Sequence, residues 1–462
     1  MTENPIHAPS PELVPQMASG GGRRLGLFSW ALFDWANQPY FTLITTFIFA
    51  PYFAAEFIGD PVRGQALWGY TLAAAGVVVA SFSPILGAIA DVSGPRKPWI
   101  AAFGVLFVVS CSYLYTAVPG APGSALWVAI ALGLAAIAAE FAIVFNNAML
   151  PSLVPEHQIG RLSGFGWGLG YLGGLVALLV IIGLPDAPFL GLQSAQAEAG
   201  RLVGPLTAIW FLIFALPLFL FTPDQRATGH NLGSALREGM ARLGGTLSHV
   251  RNYRNVGLFL IARMTYQDGL AAVFSFGGIY AAGLFGWDVM TLGLFGVTLV
   301  IFSAIGAFLG GWADDWVGAR PTVLVSVAGL LFATVGALSI TPDTILFVIA
   351  VPPPEPDAAP FSSMAEWAYI CFGSMFGIFG GPAQAASRSL MARLAPRGMA
   401  AEFFGLFALS GKATSFLAPL AIGVTTGLFN DQRSGMLVIL FFLALGFLLL
   451  LPVREERAEP LG

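Results

Sequence analysis

The chain has 462 residues, of which 56% are hydrophobic and 10% charged, with a formal net charge of −4. A soluble domain carries about 25% charged residues, so this chain could not cover a water-facing surface. Its small, scattered charge leaves no nucleic-acid footprint.

In chain order, residues 1–24 contain Pro5, Pro9, Pro11, Pro15 and a Gly20-Gly21-Gly22 run without an apolar core. That composition predicts a disordered tail rather than a cleaved signal peptide. Beyond it, apolar runs of about 20 residues or more alternate with short polar turns. In hydrocarbon only helices or closed barrels satisfy the backbone, and these runs are too continuous for barrel strands. The expectation is an all-α membrane protein with twelve transmembrane helices. They fall at about 27–57, 66–90, 99–118, 124–150, 164–184, 203–222, 254–285, 288–313, 321–341, 366–391, 402–428 and 434–452. The first and seventh are too long for straight crossings, which tilt or overhang would absorb. Cys111 and Cys371 sit inside these runs and read as small packing residues.

Residues 223–253 form the longest polar connection and divide the chain into six-span halves, 25–222 and 254–453, followed by a tail at 454–462. Within the connection Leu232, Leu236, Met240, Leu243, Leu247 and Val250 recur at helical spacing, with Arg237, Glu238, Arg242 and His249 between them. That pattern suits an amphipathic helix on the inner membrane face, or a solvated linker helix. Arg63, Arg201 and Arg433 fall on one side of the predicted topology. Arg96, Lys97, Arg161, Arg320, Arg393, Arg397 and most other basic residues fall on the opposite side. The excess of positive charge predicts that both termini are cytoplasmic. An insertion between spans 9 and 10 holds Pro352-Pro353-Pro354-Glu355-Pro356, read as a rigid exterior loop covering 352–360.

The halves repeat a motif. Gly87-x-x-x-Asp91-x-x-Gly94-x-Arg96-Lys97 in the first recurs as Gly311-x-x-x-Asp315-x-x-Gly318-x-Arg320-Pro321 in the second. Two similar halves are the usual build of a secondary transporter. The repeated loop resembles that of the major facilitator superfamily, departing from it at Val92 and Pro321. Longer strings narrow the resemblance: Ser29 to Asn37, Asn147 to Pro151, Gly164 to Gly174, Phe276 to Tyr280, Ser387 to Leu390 and Ala401 to Lys412. Together they resemble the vacuolar amino-acid effluxer-like branch and its bacterial relatives, over residues 25 to 450.

An ionisable group inside a span is expensive unless it faces a cavity or a partner, so each is a functional candidate. In span 1, Asp34, Asn37 and Gln38 share one face and Pro39 follows. In span 4, Glu140 and Asn147 share a face, and Glu140 is the leading protonatable group. Its alternative role is a permanent ion pair. In span 7, Arg263 and Gln267 share a face. Arg263 and Asp268 diverge by about 140° and need separate partners; Asp34 and Glu140 are the carboxylates available to Arg263. Gln384 in span 10 shares a face with Arg388, which can reach the cytoplasm by snorkelling. Lys412 in span 11 is read as holding a substrate carboxylate or pairing with Asp268. Gly166, Gly170 and Gly174 form a close-packing stripe for another helix. The superfamily resemblance implies that spans 1, 4, 7 and 10 line a central cavity. It also implies cytoplasmic gates in which Asp91, Arg96 and Lys97 meet Glu402, and Asp314 or Asp315 meets Arg161.

No phosphate loop, metal-ligand spacing or catalytic triad is present, and His7, His157, His230 and His249 fall in the tail or loops. The expectation is a non-enzymatic, cofactor-free, monomeric secondary transporter of a small amino-acid-like solute that works by rocking of the halves. Protons are a candidate coupling ion. The rival readings are a lipid or amphiphile translocator and a non-transporting membrane sensor.

Overall fold

The computed structural model describes residues 21–120, 124–154, 156–183, 198–225, 253–352, 359, 361–395, 406–407 and 409–455. Side chains are not described for 21, 84, 87–93, 151, 156–161, 163–164, 198–199, 308, 315 and 392. Residues 1–20 of the expected tail, most of the linker with its expected amphipathic helix, Glu402 and most of the proline-rich loop therefore lie outside the described residues, whereas residues 21–24, expected to be disordered, open the first helix.

Helix ends follow the capping residues. Asp60 accepts from the amides of Val62 and Arg63, and Pro61 opens the helix Pro61–Ser93. Asp288 accepts from the Thr291 amide at the start of the helix Val289–Val317, and Asp431 caps the helix Gln432–Leu450 through Ser434. Ser363 and Glu366 form a reciprocal capping box at the helix Met364–Leu394. Left-handed Gly286 and Asn430 close the helices Arg254–Phe285 and Leu417–Phe429.

The helices are α1 Gly21–Pro39, α2 Pro61–Ser93, α3 Lys97–Tyr113, α4 Ser124–Leu153, α5 Glu156–Gly183 and α6 Glu198–Phe221 in the first half. In the second they are α7 Arg254–Phe285, α8 Val289–Val317, α9 Ala319–Leu338, α10 Met364–Leu394, α11 Leu417–Phe429 and α12 Gln432–Leu450. Among the described residues, ten helices are long and apolar enough to cross a membrane. The two others, α10 and the shorter α11, stand where spans 10 and 11 are expected. Apolar side chains such as Val105, Val109, Ile209, Leu212 and Ile213 face outward, as a lipid-facing surface requires.

Three elements differ from the expectation. The long first span is not one straight α-helix: π-helical segments follow α1 at Tyr40–Phe47 and Phe53–Phe57, flanking the turn Phe49–Tyr52. Pro39 has no amide to give to the Trp35 carbonyl, and the Trp210 indole donates to that oxygen at 3.1 Å instead. Thr45 and Thr46 hydroxyls both turn back to the Phe41 carbonyl. Span 11 is interrupted: residues 411–416 form tight turns, with Lys412 and Ala413 amides bonded to Leu409 and the Ser415 amide to Lys412. Gly411 weakens the helix there, and Ser415 Oγ competes for the Lys412 carbonyl at 3.0 Å. A two-stranded hairpin, β1 Thr344–Ile345 with β2 Ile349–Ala350, precedes the proline-rich loop.

Within the first half α1 packs on α5 and α6, and α4 on α2 and α3; in the second, α7 packs on α12, and α10 on α8 and α9. The halves meet along α2–α11, α5–α8 and the later part of span 1 against α7. Glycines allow these approaches. A Cβ on Gly69 would stand 2.6 Å from the Pro419 carbonyl oxygen, and one on Gly76 2.9 Å from Phe416 Cα. The described hydrogen bonds between the halves run from Gln65 to Thr426 and the Gln432 carbonyl, from Gln432 to the Pro61 carbonyl, and from Lys412 to Glu140. Apart from the last, at mid-height, they lie at the end of the molecule remote from the chain termini.

Candidate functional site

At mid-height between the halves lies a cavity of about 570 Å³. Its wall includes Asp34, Asn37 and Gln38 of α1, Glu140 and Asn147 of α4, Gln267 and Asp268 of α7, Gln384 of α10, and Lys412. These residues come from distant parts of the sequence and converge on one volume.

The α1 face is built by the glycines of α5. A Cβ on Gly166 would lie 2.5 Å from Asp34 Oδ2, and one on Gly174 would lie 2.5 Å from Thr42 Oγ1 and 2.9 Å from Gln38 Cγ. The stripe therefore removes side chains where the polar residues of α1 need room. Trp30, one turn before Asp34, donates from its indole to the Asn146 carbonyl at 2.9 Å and ties α1 to α4. Asn37 is 2% exposed, and neither its Oδ1 nor its Nδ2 has a partner. Asp268 is 3% exposed; its Oδ2 has no partner at hydrogen-bond distance, and the Thr414 hydroxyl lies beside the carboxyl.

Lys412 donates to Glu140 Oε2 at 2.5 Å, an ion pair that joins the halves. Lys412 thus takes the carboxylate of α4 rather than Asp268. The interrupted helix around residue 412 supplies the position: irregular backbone at membrane depth is tolerated where it lines a cavity.

Arg263 is absent from the cavity wall and has neither Asp34 nor Glu140 as its partner. Its guanidinium donates to the Phe407 carbonyl at 2.6 Å and Ser410 Oγ at 2.7 Å, and lies 3.6 Å over the Phe407 ring. A main-chain carbonyl, a hydroxyl and an aromatic face share the work expected of one carboxylate. The cavity also holds residues that sequence reading missed: Trp30, Trp167 and Tyr171, and the hydroxyls of Thr42, Thr45, Ser275, Ser303 and Ser415. Helical spacing held a signal for the aromatic residues, since Trp30 is four residues before Asp34, and Trp167 and Tyr171 are four apart beside the glycine stripe.

Among the candidate gate residues, Arg96, Lys97 and Asp314 have described side chains. Side chains of Asp91, Arg161 and Asp315 are outside the described set, as is Glu402. Arg96 and Lys97 engage their own half: Asp224, just past α6, accepts from both amides, at 3.0 Å and 2.9 Å. Lys97 Nζ also reaches the Phe219 carbonyl. The second half repeats this device. Glu455, just past α12, accepts from the Ala319 and Arg320 amides at 3.3 Å and 3.0 Å and pairs with Arg393. Arg393 also binds Asp314 at 2.9 Å. Partial burial pushes the Glu455 carboxyl up, but the Arg320 amide, the Arg393 side chain and the Ala319 amide together hold it below the usual carboxylate range. Each carboxylate also sits at a helix N-terminus, where negative charge is favoured. Among the described residues, no three His, Cys, Asp or Glu are placed to hold a metal.

Apolar helices from both halves of the chain, gathered around a central polar cavity, define a membrane transporter of the major facilitator type. Residues 53–460 match the family described as vacuole effluxer Atg22 like, and the chain belongs to that family. It is 29% identical over 444 residues to the uncharacterized MFS-type transporter YxiO of Bacillus subtilis, covering 93% of this chain and 95% of that one. It is 26% identical over 319 residues to autophagy-related protein 22-1 of Neosartorya fischeri, covering 65% of this chain and 49% of that protein. The chain thus spans about half the length of this fungal relative. The fold resembles the nucleoside transporter NupG, with a TM-score of 0.64 at 12% identity over 93% of this chain and 98% of that one. It also resembles a bacterial homologue of the human lysosomal transporter Spinster in an inward-facing, unoccupied conformation. There the TM-score is 0.63 at 17% identity, over 94% and 98% of the two chains.

Proposed function

We propose that this protein moves a small amino-acid-like organic solute across the cell membrane by alternating access, rocking its halves about the central cavity. The supporting observation is the convergence of polar residues from both halves on one volume of about 570 Å³, within the usual range for a small-molecule site. Amides, hydroxyls and carboxylates on the wall suit a hydrogen-bonding solute better than a lipid tail. Amino acids enter through the resemblance to the vacuolar amino-acid effluxer-like branch.

With both termini in the cytoplasm, the sealed end would face outward and the cavity would open inward. That orientation follows the excess of Lys and Arg on the terminal side. Asp34 and Asp268 have no cationic partner among the described residues. Each therefore calls for a positive charge, from the solute or from a proton, and proton coupling rests on this. Counterflow of labelled amino acids into proteoliposomes tests the reading. Saturable exchange above protein-free liposomes is expected. Its absence for a broad panel, with correctly folded protein, would refute transport.

A further inference from the structure

We propose that the central cavity selects a positively charged amine, such as a basic amino acid or its decarboxylated counterpart, over neutral and anionic solutes. This rests on reading the cavity as the solute site. The wall carries three carboxyl groups, Asp34, Glu140 and Asp268, and one ammonium, Lys412. Lys412 is committed to Glu140 at 2.5 Å. What remains is one carboxylate from each half, Asp34 and Asp268, with no described cationic partner. Arg263, the cation that the sequence offers for a solute carboxylate, is held by Phe407 and Ser410 away from the wall. Arg388 also stands off the wall.

A second observation, independent of charge, points to a ligand in the same place. Both side-chain polar atoms of Asn37, the Tyr40 hydroxyl and Oδ2 of Asp268, beside which the Thr414 hydroxyl stands, are buried without a partner at hydrogen-bond distance. These four atoms belong to residues of one cavity wall. Asn37 Oδ1 can accept from an ammonium, and its Nδ2 can donate to a carboxylate or hydroxyl of the same solute. Trp30 packs beside Asp34: a Cβ built on Gly166 would lie 2.5 Å from Asp34 Oδ2 and 3.6 Å from Trp30 Cζ3.

The alternatives fit less well. An anion would have to draw Lys412 from Glu140 and would bring its charge before two carboxylates. A neutral zwitterion would answer one carboxylate with its ammonium and leave the other uncompensated. A basic amino acid or a diamine carries a cationic group for each.

Calorimetric titration of the full-length protein in lipid nanodiscs with agmatine, L-arginine, L-leucine and L-glutamate tests this. Agmatine and arginine should bind at least about tenfold tighter than leucine, and glutamate should not compete. Asp34→Asn and Asp268→Asn should each weaken agmatine by roughly 10- to 100-fold, as expected for losing a desolvated charge partner. Glutamate or leucine binding as tightly as agmatine would overturn the proposal. So would no heat from either cation at millimolar concentration, or folded aspartate variants with unchanged affinity. Counterflow of leucine or glutamate but not of the cations would sink this inference and keep the transporter reading. Cation binding without flux of any solute would do the reverse.

Discussion

Replacing Gly69 by alanine should drive a wedge between the halves. The new Cβ would stand 2.6 Å from the Pro419 carbonyl oxygen and 2.9 Å from the backbone of Gly423. Both obstacles are main chain, so no rotamer change relieves them, and α2 must separate from α11 by a substantial fraction of an ångström. Overpacking of this kind costs about 1–3 kcal/mol. Opening the remote end removes that penalty, so the ratio of open to closed molecules at that end should rise about 5- to 150-fold. An open population of about 1% would become about 5–60%. Spin labels at Arg63→Cys on α2 and Leu428→Cys on α11, in a Cys371→Ser background, would report it by double electron–electron resonance. Cys111 is buried and can remain. The variant should gain a longer-distance component. Gly133→Ala is the matched control, because its Cβ meets only Thr71 at ordinary contact distance, 3.7 Å. An unchanged distance distribution in folded Gly69→Ala would refute the idea that this seam sets the closed end.

Removing one partner of the Lys412–Glu140 pair should be worse than removing both. Lys412→Met and Glu140→Gln singly should destabilise more than the double variant predicts by addition. The coupling in thermal unfolding should be about 1 kcal/mol, since the Lys412 side chain is 37% exposed and screened. Gly166→Ala should turn the Asp34 carboxylate aside and weaken solute binding with little change in melting temperature, whereas Gly168→Ala, which meets open space, should bind normally. Glu455 titrates below its unfolded value of about 4.3, so its stabilising contribution is present above that pH and lost as pH falls through the lower folded value. The melting-temperature advantage of wild type over Glu455→Gln should therefore be full at pH 6 and shrink progressively as pH falls below about 4.3. An advantage that does not shrink with falling pH would assign it to packing instead.

Much of this architecture was legible because hydrocarbon imposes strict demands on sequence. Span 7 was expected at residues 254–285, and α7 occupies the same residues, because Arg254 and Gly286 mark both ends of an apolar run. The cavity wall was legible because Asp34, Glu140, Asp268 and Lys412 are rare charges in apolar helices. Helical spacing could assign such a residue to a face, but it could not choose its partner. Arg263 is held by Phe407 and Ser410, and Lys412 by Glu140, across long sequence separations that periodicity does not report. The π-helical part of span 1 was hidden because hydropathy averages over turns of either pitch, although Pro39 and Pro51 marked the break. Asp224 and Glu455 stand just past the last helix of each half, where the sequence pattern offers no partner for them. Their capping of α3 and α9 depends on a chain reversal that only the fold displays. Trp167 and Tyr171 could equally have faced lipid, and only packing of the α5 glycines against α1 turned that helix face inward.

Alternating access requires that one mid-membrane site be reached from one side at a time. Ala271 lines the cavity and is exposed, so Ala271→Cys in the Cys371→Ser background places a thiol there. A membrane-impermeant thiol reagent should label it from the terminal side in the resting protein, and a transported solute should protect it. Adding Gly69→Ala should let the same reagent reach it from the opposite side. Labelling from neither side, or rapid labelling of the whole population from both sides irrespective of Gly69→Ala, would contradict alternating access.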